Sequence, residues 1–317
     1  MGIKLKAKGK SLPDGGCIGL LTGAPLSVER FQAGLKTLES LGLRAKYPID
    51  PTVAYGDKQQ GFVAAPAAER ARAMYELLQD REVSVVLAVR GAYGALDLLP
   101  RLDSEQLRAA GKLVIGSSDI TVLLLQSLRA EIPAIHGSTL GDAFADYGEK
   151  DYARESVDAL VAMLRQPEFR IEQKVESLRA GSARGPLLAG NLSMLLTVLG
   201  TPWDIDYSGA ILVIEDVGEA PYRIHRALTQ LKLAGKLERL SGVVFGRFSK
   251  CEAKSGPSVD EVMEMAVRDI FPNSPFPVVR GLEAGHWGKN IPLPMGCLAE
   301  ISGNTFRTLE SPISGLQ

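Results

Sequence analysis

Between Gly16 and Ile135, short apolar runs alternate with amphipathic helical stretches, and that alternation restricts this part of the chain to parallel β-α-β units. Strands are expected at 17–21, 44–47, 83–89, 113–115 and 134–135. Ser27 stands where an N-cap belongs, ahead of a helix ending near Gly42, and a second helix is expected over 67–79. A polar helix over 151–165 and an irregular segment over 168–184, containing A-G-S-A-R-G, separate this half from the next. There, strands at 210–214, 242–245 and 297–301 mix with helices at 221–234 and 258–270, the latter opened by the capping box of Ser258 and Glu261. The fold class is α/β: a doubly wound, mostly parallel sheet in an N-terminal domain, with a second, mixed α/β C-terminal domain. A length of 317 residues suits two domains of about 150 each. The expected division is 1–165, a linker at 166–184, and 185–317.

Several function classes are disfavoured by composition. Thirty-six Lys and Arg against 37 Asp and Glu leave a formal net charge of -1, so there is no basic field for nucleic acid and no polybasic membrane patch. The basic start precedes an apolar C-I-G-L-L that is too short for a secretory signal and is interrupted by T-G-A-P. No run approaches the ~18 apolar residues of a membrane span. A cytoplasmic enzyme is expected. Cys17, Cys251 and Cys297 are widely spaced and form no C-x-x-C pair, which reads as structural thiols rather than zinc or redox chemistry.

A doubly wound domain invites a nucleotide reading, but the chain contains neither G-x-G-x-x-G nor G-x-x-x-x-G-K-[ST]. Arg90-Gly91-Ala92-Tyr93-Gly94 nevertheless follows a buried strand, so its N–H groups would face the carboxyl edge of the sheet, where such sheets bind ligands. It is either a tight turn needing positive φ or an anion or oxyanion site. At Gly116-Ser117-Ser118-Asp119 an apolar run stops and an apolar helical pattern starts at once. A serine on such a strand-to-helix turn has an exposed hydroxyl beside free helix N–H groups, although Ser and Asp are also ordinary helix caps.

Only three histidines could serve a serine as base. His225 lies on an ordinary amphipathic helix, His136 follows a short strand at the same sheet edge, and His286 sits in a Gly/Pro loop where no regular element explains it. A carboxylate partner is available in Glu215, which ends the apolar run Ile211 to Ile214, with Asp216 and Glu219 as competitors.

Together, seven ordered blocks from about Gly16 to Ile301 resemble the LD-carboxypeptidases, the family of murein tetrapeptide carboxypeptidases and microcin C immunity peptidases. They are G-S-S-D-I-T; R-G-A-Y-G with L-L-P-R-L-D; H-G-S; A-G-N-L-S with G-T-P-W; I-E-D-V-G-E-A-P-Y-R-I-H-R-A-L; V-F-G-R-F-S-K-C; and G-H-W-G-K-N-I-P-L-P-M-G. The resemblance implies a serine peptidase with Ser118 as nucleophile and, from the C-terminal domain, Glu215 as orienting carboxylate and His286 as base. It implies oxyanion donors in the N–H of Asp119 and of Ala92, or else Gly91. Arg90, Asn191, Tyr222 and Arg226 are the implied substrate-binding candidates, and Asn191 could instead cap a helix over 192–199. No metal and no cofactor are implied. The implied partner is a muropeptide ending in D-alanine, and the implied assembly is a homodimer. Two departures stand out: Ala92 occupies a position that is usually glycine, and Ser117 one that is often aromatic. The alternatives are an immunity-type peptidase acting on a toxic aminoacyl-nucleotide, with Trp203 or Trp287 stacking on the base, and a non-catalytic small-molecule binding protein.

Overall fold

The protein was analysed as a computed structural model that describes residues 2–56, 61–253, 255–272 and 274–315. Its first half runs β1 (Cys17–Leu21), α1 (Val28–Ser40), β2 (Arg44–Lys46), α2 (Ala67–Gln79), β3 (Val83–Ala88), α3 (Ser104–Ala110), β4 (Val114–Gly116), α4 (Thr121–Arg129), β5 (Ala134–His136) and α5 (Asp151–Arg165). The second continues with β6 (Glu172–Lys174), β7 (Glu176–Arg179), β8 (Ser182–Asn191), α6 (Leu192–Thr197), β9 (Ile211–Val217), α7 (Pro221–Leu233), β10 (Gly242–Ser249), α8 (Val259–Met265), β11 (Val278–Arg280), β12 (Leu293–Met295), β13 (Leu298–Ser302) and β14 (Thr305–Thr308).

The first sheet has the order β12-β5-β4-β3-β1-β2, parallel except for β12, so the order in which strands are added reverses between β1 and β3 as in doubly wound sheets. The second sheet, β6-β14-β13-β8-β9-β10-β11-β7, has a parallel centre of β8 to β11 flanked by antiparallel strands. Buried Val, Ile and Leu fill the central strands of both, as expected where helices or other layers cover each face.

Sequence and structure agree closely for β1, α2 and α5. They differ over 168–184, which is not irregular: it forms β6 and β7, the two edges of the second sheet, and the start of the interior strand β8. The helix expected to run to 270 ends at Met265 and continues as one π-helical turn, Ala266–Ile270. Its capping box is present, with both reciprocal Ser258 and Glu261 bonds made. Among the described residues no helix is long and apolar enough to cross a membrane, and the three cysteines are buried free thiols.

Two connections lock the sheets together, the first of them at their carboxyl ends. The backbone N–H of Asn191, last in β8, donates to Thr121 Oγ1 at the start of α4 (3.2 Å). Gly190 beside it leaves room for that approach, since a Cβ there would lie 2.6 Å from Thr121 Cγ2. From the other direction, β12 returns to the first sheet, pairing Leu293 with His136, and two residues beyond it Cys297 O accepts from Leu187 N of β8 (2.8 Å). A single hydrophobic core therefore runs through both sheets. Leu293 is fully buried at this seam, so Leu293→Ala is expected to cost about 2–5 kcal/mol. Urea unfolding followed by far-UV circular dichroism should show a lower midpoint and still one transition for both halves.

Candidate active site

The nucleophile candidate sits where β4 turns into α4. Gly116 ends the strand because a Cβ there would meet Ile120 Cγ2 at 2.8 Å and Ala88 Cβ at 3.1 Å, so only glycine lets the helix fold back this tightly. Ser117 keeps an extended backbone (φ -145°) and is buried, whereas Ser118 is driven to φ 60° and left half-buried. A left-handed serine costs about 1–2 kcal/mol, a strain that folded proteins concentrate at functional sites. Of the two hydroxyls, Ser118 is the one displayed.

The R-G-A-Y-G turn after β3 closes against it. A Cβ on Gly91 would lie 2.6 Å from Ser118 Cβ and 3.1 Å from its Oγ, so the absence of a side chain at 91 is what permits the contact. Ala92 accepts the left-handed conformation (φ 63°) despite its Cβ. Among the described residues, the N–H groups of Gly91 and Ala92 make no backbone hydrogen bond, which leaves them available to an anion beside Ser118, and the N–H of Asp119 belongs to the first turn of the helical segment, where donors have no partner within the helix.

On the second sheet Glu215 and His286 meet. Glu215 projects near the carboxyl end of β9 and is 1% exposed, and its Oε2 lies 2.6 Å from His286 Nδ1. A carboxylate can only accept at that distance, so Nδ1 carries the proton and Nε2 is left free to take another. The His286 loop has no regular structure but is pinned throughout. Arg247 N donates to Ala284 O (2.8 Å), Gly285 N to Asn290 Oδ1 (3.0 Å), Asn290 N to Ser156 Oγ (2.9 Å) and Ser249 Oγ to His286 O (2.5 Å). Gly285 (φ 130°) must be glycine, because a Cβ would stand 3.0 Å from Glu215 Oε2.

Burial pushes the His286 pKa down and is the largest single influence, but the hydrogen bond and charge of Glu215, helped by Asp142 and Asp216, outweigh it and leave the pKa raised. Among the described residues no hydrogen bond joins Ser118 to His286. The buried His136 links the two sides: it is the register partner of Gly116, and both Glu215 and His286 act on its charge, while burial lowers its pKa.

The competing acids are occupied elsewhere. Asp216 receives bonds from Asn191 Nδ2 (2.9 Å) and from Ser193 N and Oγ (2.9 and 2.7 Å), and Glu219 pairs with Arg223 (3.5 Å). Asn191 caps α6, accepting from Met194 N (3.1 Å), so both of its side-chain polar atoms are engaged within the protein. Arg90 donates to Pro25 O (2.8 Å). Tyr222 is exposed, with the Arg223 and Arg226 guanidiniums about its ring at 5.9 and 6.0 Å. Trp203 packs against the core, while Trp287 is 66% exposed under Lys250 Nζ at 3.6 Å. The sequence reading missed Arg247, whose Nε is buried without a hydrogen-bond partner among the described residues and whose guanidinium lies against Gly288 of the His286 loop. It also missed Arg70, which no local signal separates from a solvated helix charge.

Fold and site define a two-sheet α/β protein equipped for acid–base chemistry at the joined carboxyl ends of its strands. Family models for the LD-carboxypeptidase N-terminal domain (residues 18–137) and C-terminal domain (residues 184–301) both match, and the chain belongs to the LD-carboxypeptidase family. It is 31% identical over 308 residues to the probable murein peptide carboxypeptidase of Bacillus subtilis (strain 168), covering 95% of this chain and 93% of that one. The muramoyltetrapeptide carboxypeptidase from Oxalobacter formigenes shares the fold with a TM-score of 0.80 at 28% identity, covering 92% of this chain and 97% of the other. MccF in complex with glutamyl sulfamoyl guanosine superposes with a TM-score of 0.86 at 20% identity over 97% and 99% of the two chains, a likeness of fold alone. Membership supports a carboxypeptidase, and hence hydrolase, role.

Three outcomes follow from this geometry. If His286 is the base it must be neutral to act, and its pKa is raised, so kcat/KM should climb with pH through a pKa above the ordinary 6.5. Glu215→Gln removes the largest charge that raises it, leaving Asp142 and Asp216, so a pH–rate profile of that variant should show the acid limb moved to lower pH on a rate reduced by ~10³–10⁴-fold. Gly91→Ala places a methyl on Ser118 and is expected to lower kcat by ~10²-fold, with a stability loss of about 1–3 kcal/mol, read by peptide assay and thermal melt.

Proposed function

We propose that the protein is a serine LD-carboxypeptidase that releases the terminal D-alanine from L-Ala-γ-D-Glu-meso-diaminopimelate-D-Ala, a step in the recycling of cell-wall peptides. The observation that carries this reading is the 2.6 Å bond between the buried Glu215 and His286, at the sheet edge joined to the strained Ser118. The murein peptide carboxypeptidases among its relatives support the substrate class.

In this mechanism His286 Nε2 takes the Ser118 proton as Oγ attacks the carbonyl carbon of the L-to-D amide. Glu215 holds the imidazole in the tautomer that makes this possible and stabilises its charged form. The carbonyl oxygen, now negative, is received by the N–H of Asp119 and that of Ala92 or Gly91. Collapse breaks the C–N bond, and the D-alanine amine leaves with the proton from His286. Water then attacks the ester with His286 again as base, returning the serine.

Each oxyanion donor is worth roughly 10²–10³-fold and the positioned base ~10²–10⁴-fold. Ser118→Ala should therefore lower D-alanine release from the tetrapeptide by more than ~10³-fold and abolish labelling by a fluorophosphonate. Ser117→Ala should retain both. Mass spectrometry of the products decides the matter, and the opposite result for the two serines, or cleavage of an aminoacyl-adenylate analogue in preference to the tetrapeptide, overturns the assignment.

A further inference from the structure

The turn that faces Ser118 does not hold itself in place. Its backbone is left-handed at Ala92 (φ 63°) and at Gly94 (φ 108°), and two buried charged side chains from outside the turn bond to its end. Arg70, on α2, is 1% exposed and heads the fully buried side chains by size. Its Nη1 donates to Gly94 O (2.6 Å), its Nε to Ala65 O (2.9 Å) and its Nη2 to Asp97 Oδ2 (3.3 Å). A Cβ on Gly94 would lie 2.7 Å from that Nη1, so the guanidinium is seated directly on the turn. Asp119, 5% exposed, accepts the Ala95 N–H through Oδ2 at 2.7 Å.

The position of Asp119 in the chain gives this bond its significance. It immediately follows Ser118, so its backbone offers one oxyanion donor while its side chain anchors the loop that offers the other. Burying a carboxylate and a guanidinium is costly unless both are paired and bonded, and here the bonds are directed at the turn itself.

We propose that Asp119 and Arg70 are positioning residues for catalysis: together they fix the 91–95 turn against Ser118 and so set the spacing between the two N–H donors. The proposal rests on the serine peptidase reading above. Loss of either tether lets the turn relax away from Ser118, and a displacement near 1 Å in such a site costs ~10²-fold in rate. Ground-state peptide binding does not depend on that spacing, so the loss falls on kcat and leaves KM nearly unchanged.

The experiment compares full-length wild type, Asp119→Ala, Asp119→Asn and Ala95→Pro. Active sites are titrated by covalent fluorophosphonate incorporation at Ser118, and kcat and KM on the tetrapeptide are expressed per titrated site, which removes any misfolded fraction from the comparison. Asp119→Ala is expected to lose ~10²-fold in kcat with KM within about twofold. Asp119→Asn, whose amide oxygen can still accept from Ala95 N–H, should recover to within about tenfold of wild type. Ala95→Pro removes the donor N–H and puts its ring Cδ in the place of the Asp119 Oδ2 contact, at a residue whose φ of -69° suits proline, and should lose at least as much as Asp119→Ala even if Asp119→Ala does not fold. A kcat per titrated site within threefold of wild type in Asp119→Ala or Ala95→Pro overturns the proposal, as does an equal loss in Asp119→Asn. Failure of wild type to incorporate the probe at Ser118 is a different result: it removes the serine peptidase reading itself.

Discussion

The bond between Glu215 and His286 is the constraint around which the second half of the molecule is arranged. A carboxylate at 1% exposure has lost its water, and the penalty for an unpaired buried charge is several kcal/mol. The imidazole must therefore arrive accurately, and it arrives on a loop without helix or strand. That loop is held by β10 through Arg247 and Ser249, by its own Asn290, and by Ser156 of α5. Glycine at 285 and 246 makes the approach possible: a Cβ at 285 would crowd Glu215 Oε2, and one at 246 would stand 2.6 Å from Ala284 O. Among the described residues the second carboxylate oxygen, Oε1, is buried without a hydrogen-bond partner, so much of the compensation for this charge rests on His286.

The other half of the site uses backbone strain where this half uses a buried charge. Ser118 and Ala92 both occupy the left-handed region, and neither residue adopts it freely. Each lies beyond the carboxyl end of a parallel strand, where buried β3 and β4 form a rigid platform. The seam made by Asn191 on Thr121 and by the return of β12 then fixes that edge relative to β9. A two-sheet arrangement thus separates the tasks. One sheet displays the Ser118 hydroxyl and the turn N–H groups, the other carries the hydrogen-bonded Glu215 and His286, and a continuous core keeps the two in register.

How much of this was legible follows from the kind of signal each element leaves. Buried parallel strands such as β1, β3 and β9 are continuous apolar runs, and Ser118, Glu215 and His286 stand out because each follows or interrupts such a run, or lies where no regular pattern explains it. Of the edge strands, β2 was legible, whereas β6, β7 and β12 were not. β6 is Glu-Gln-Lys and lies at the border of its sheet, so no apolar face marks it, and β12 is three residues long with a proline at its centre. Both are held by pairing with distant segments, which a local pattern cannot register. Arg70 was invisible for a related reason. It sits in A-A-E-R-A-R-A-M-Y-E, where its neighbour Arg72 makes an ordinary surface pair with Glu76, and only the packing of the 91–95 turn against α2 distinguishes one arginine from the other.

That distinction bears on the departure at position 92. A glycine in the left-handed region carries almost no steric penalty, whereas alanine there costs about 1 kcal/mol or somewhat more. A turn with Ala92 at φ 63° would relax if its own preferences decided the matter. The buried Arg70 and Asp119 supply directed bonds at Gly94 and Ala95, two and three residues on, and bonds to charged groups are worth about 1.5–3 kcal/mol each. Their sum exceeds the strain at Ala92, so the methyl is accommodated and the conformation is kept. The rigidity of this turn therefore resides in the side chains beneath it, and the turn tolerates a Cβ at 92 while the contact with Ser118 forbids one at 91.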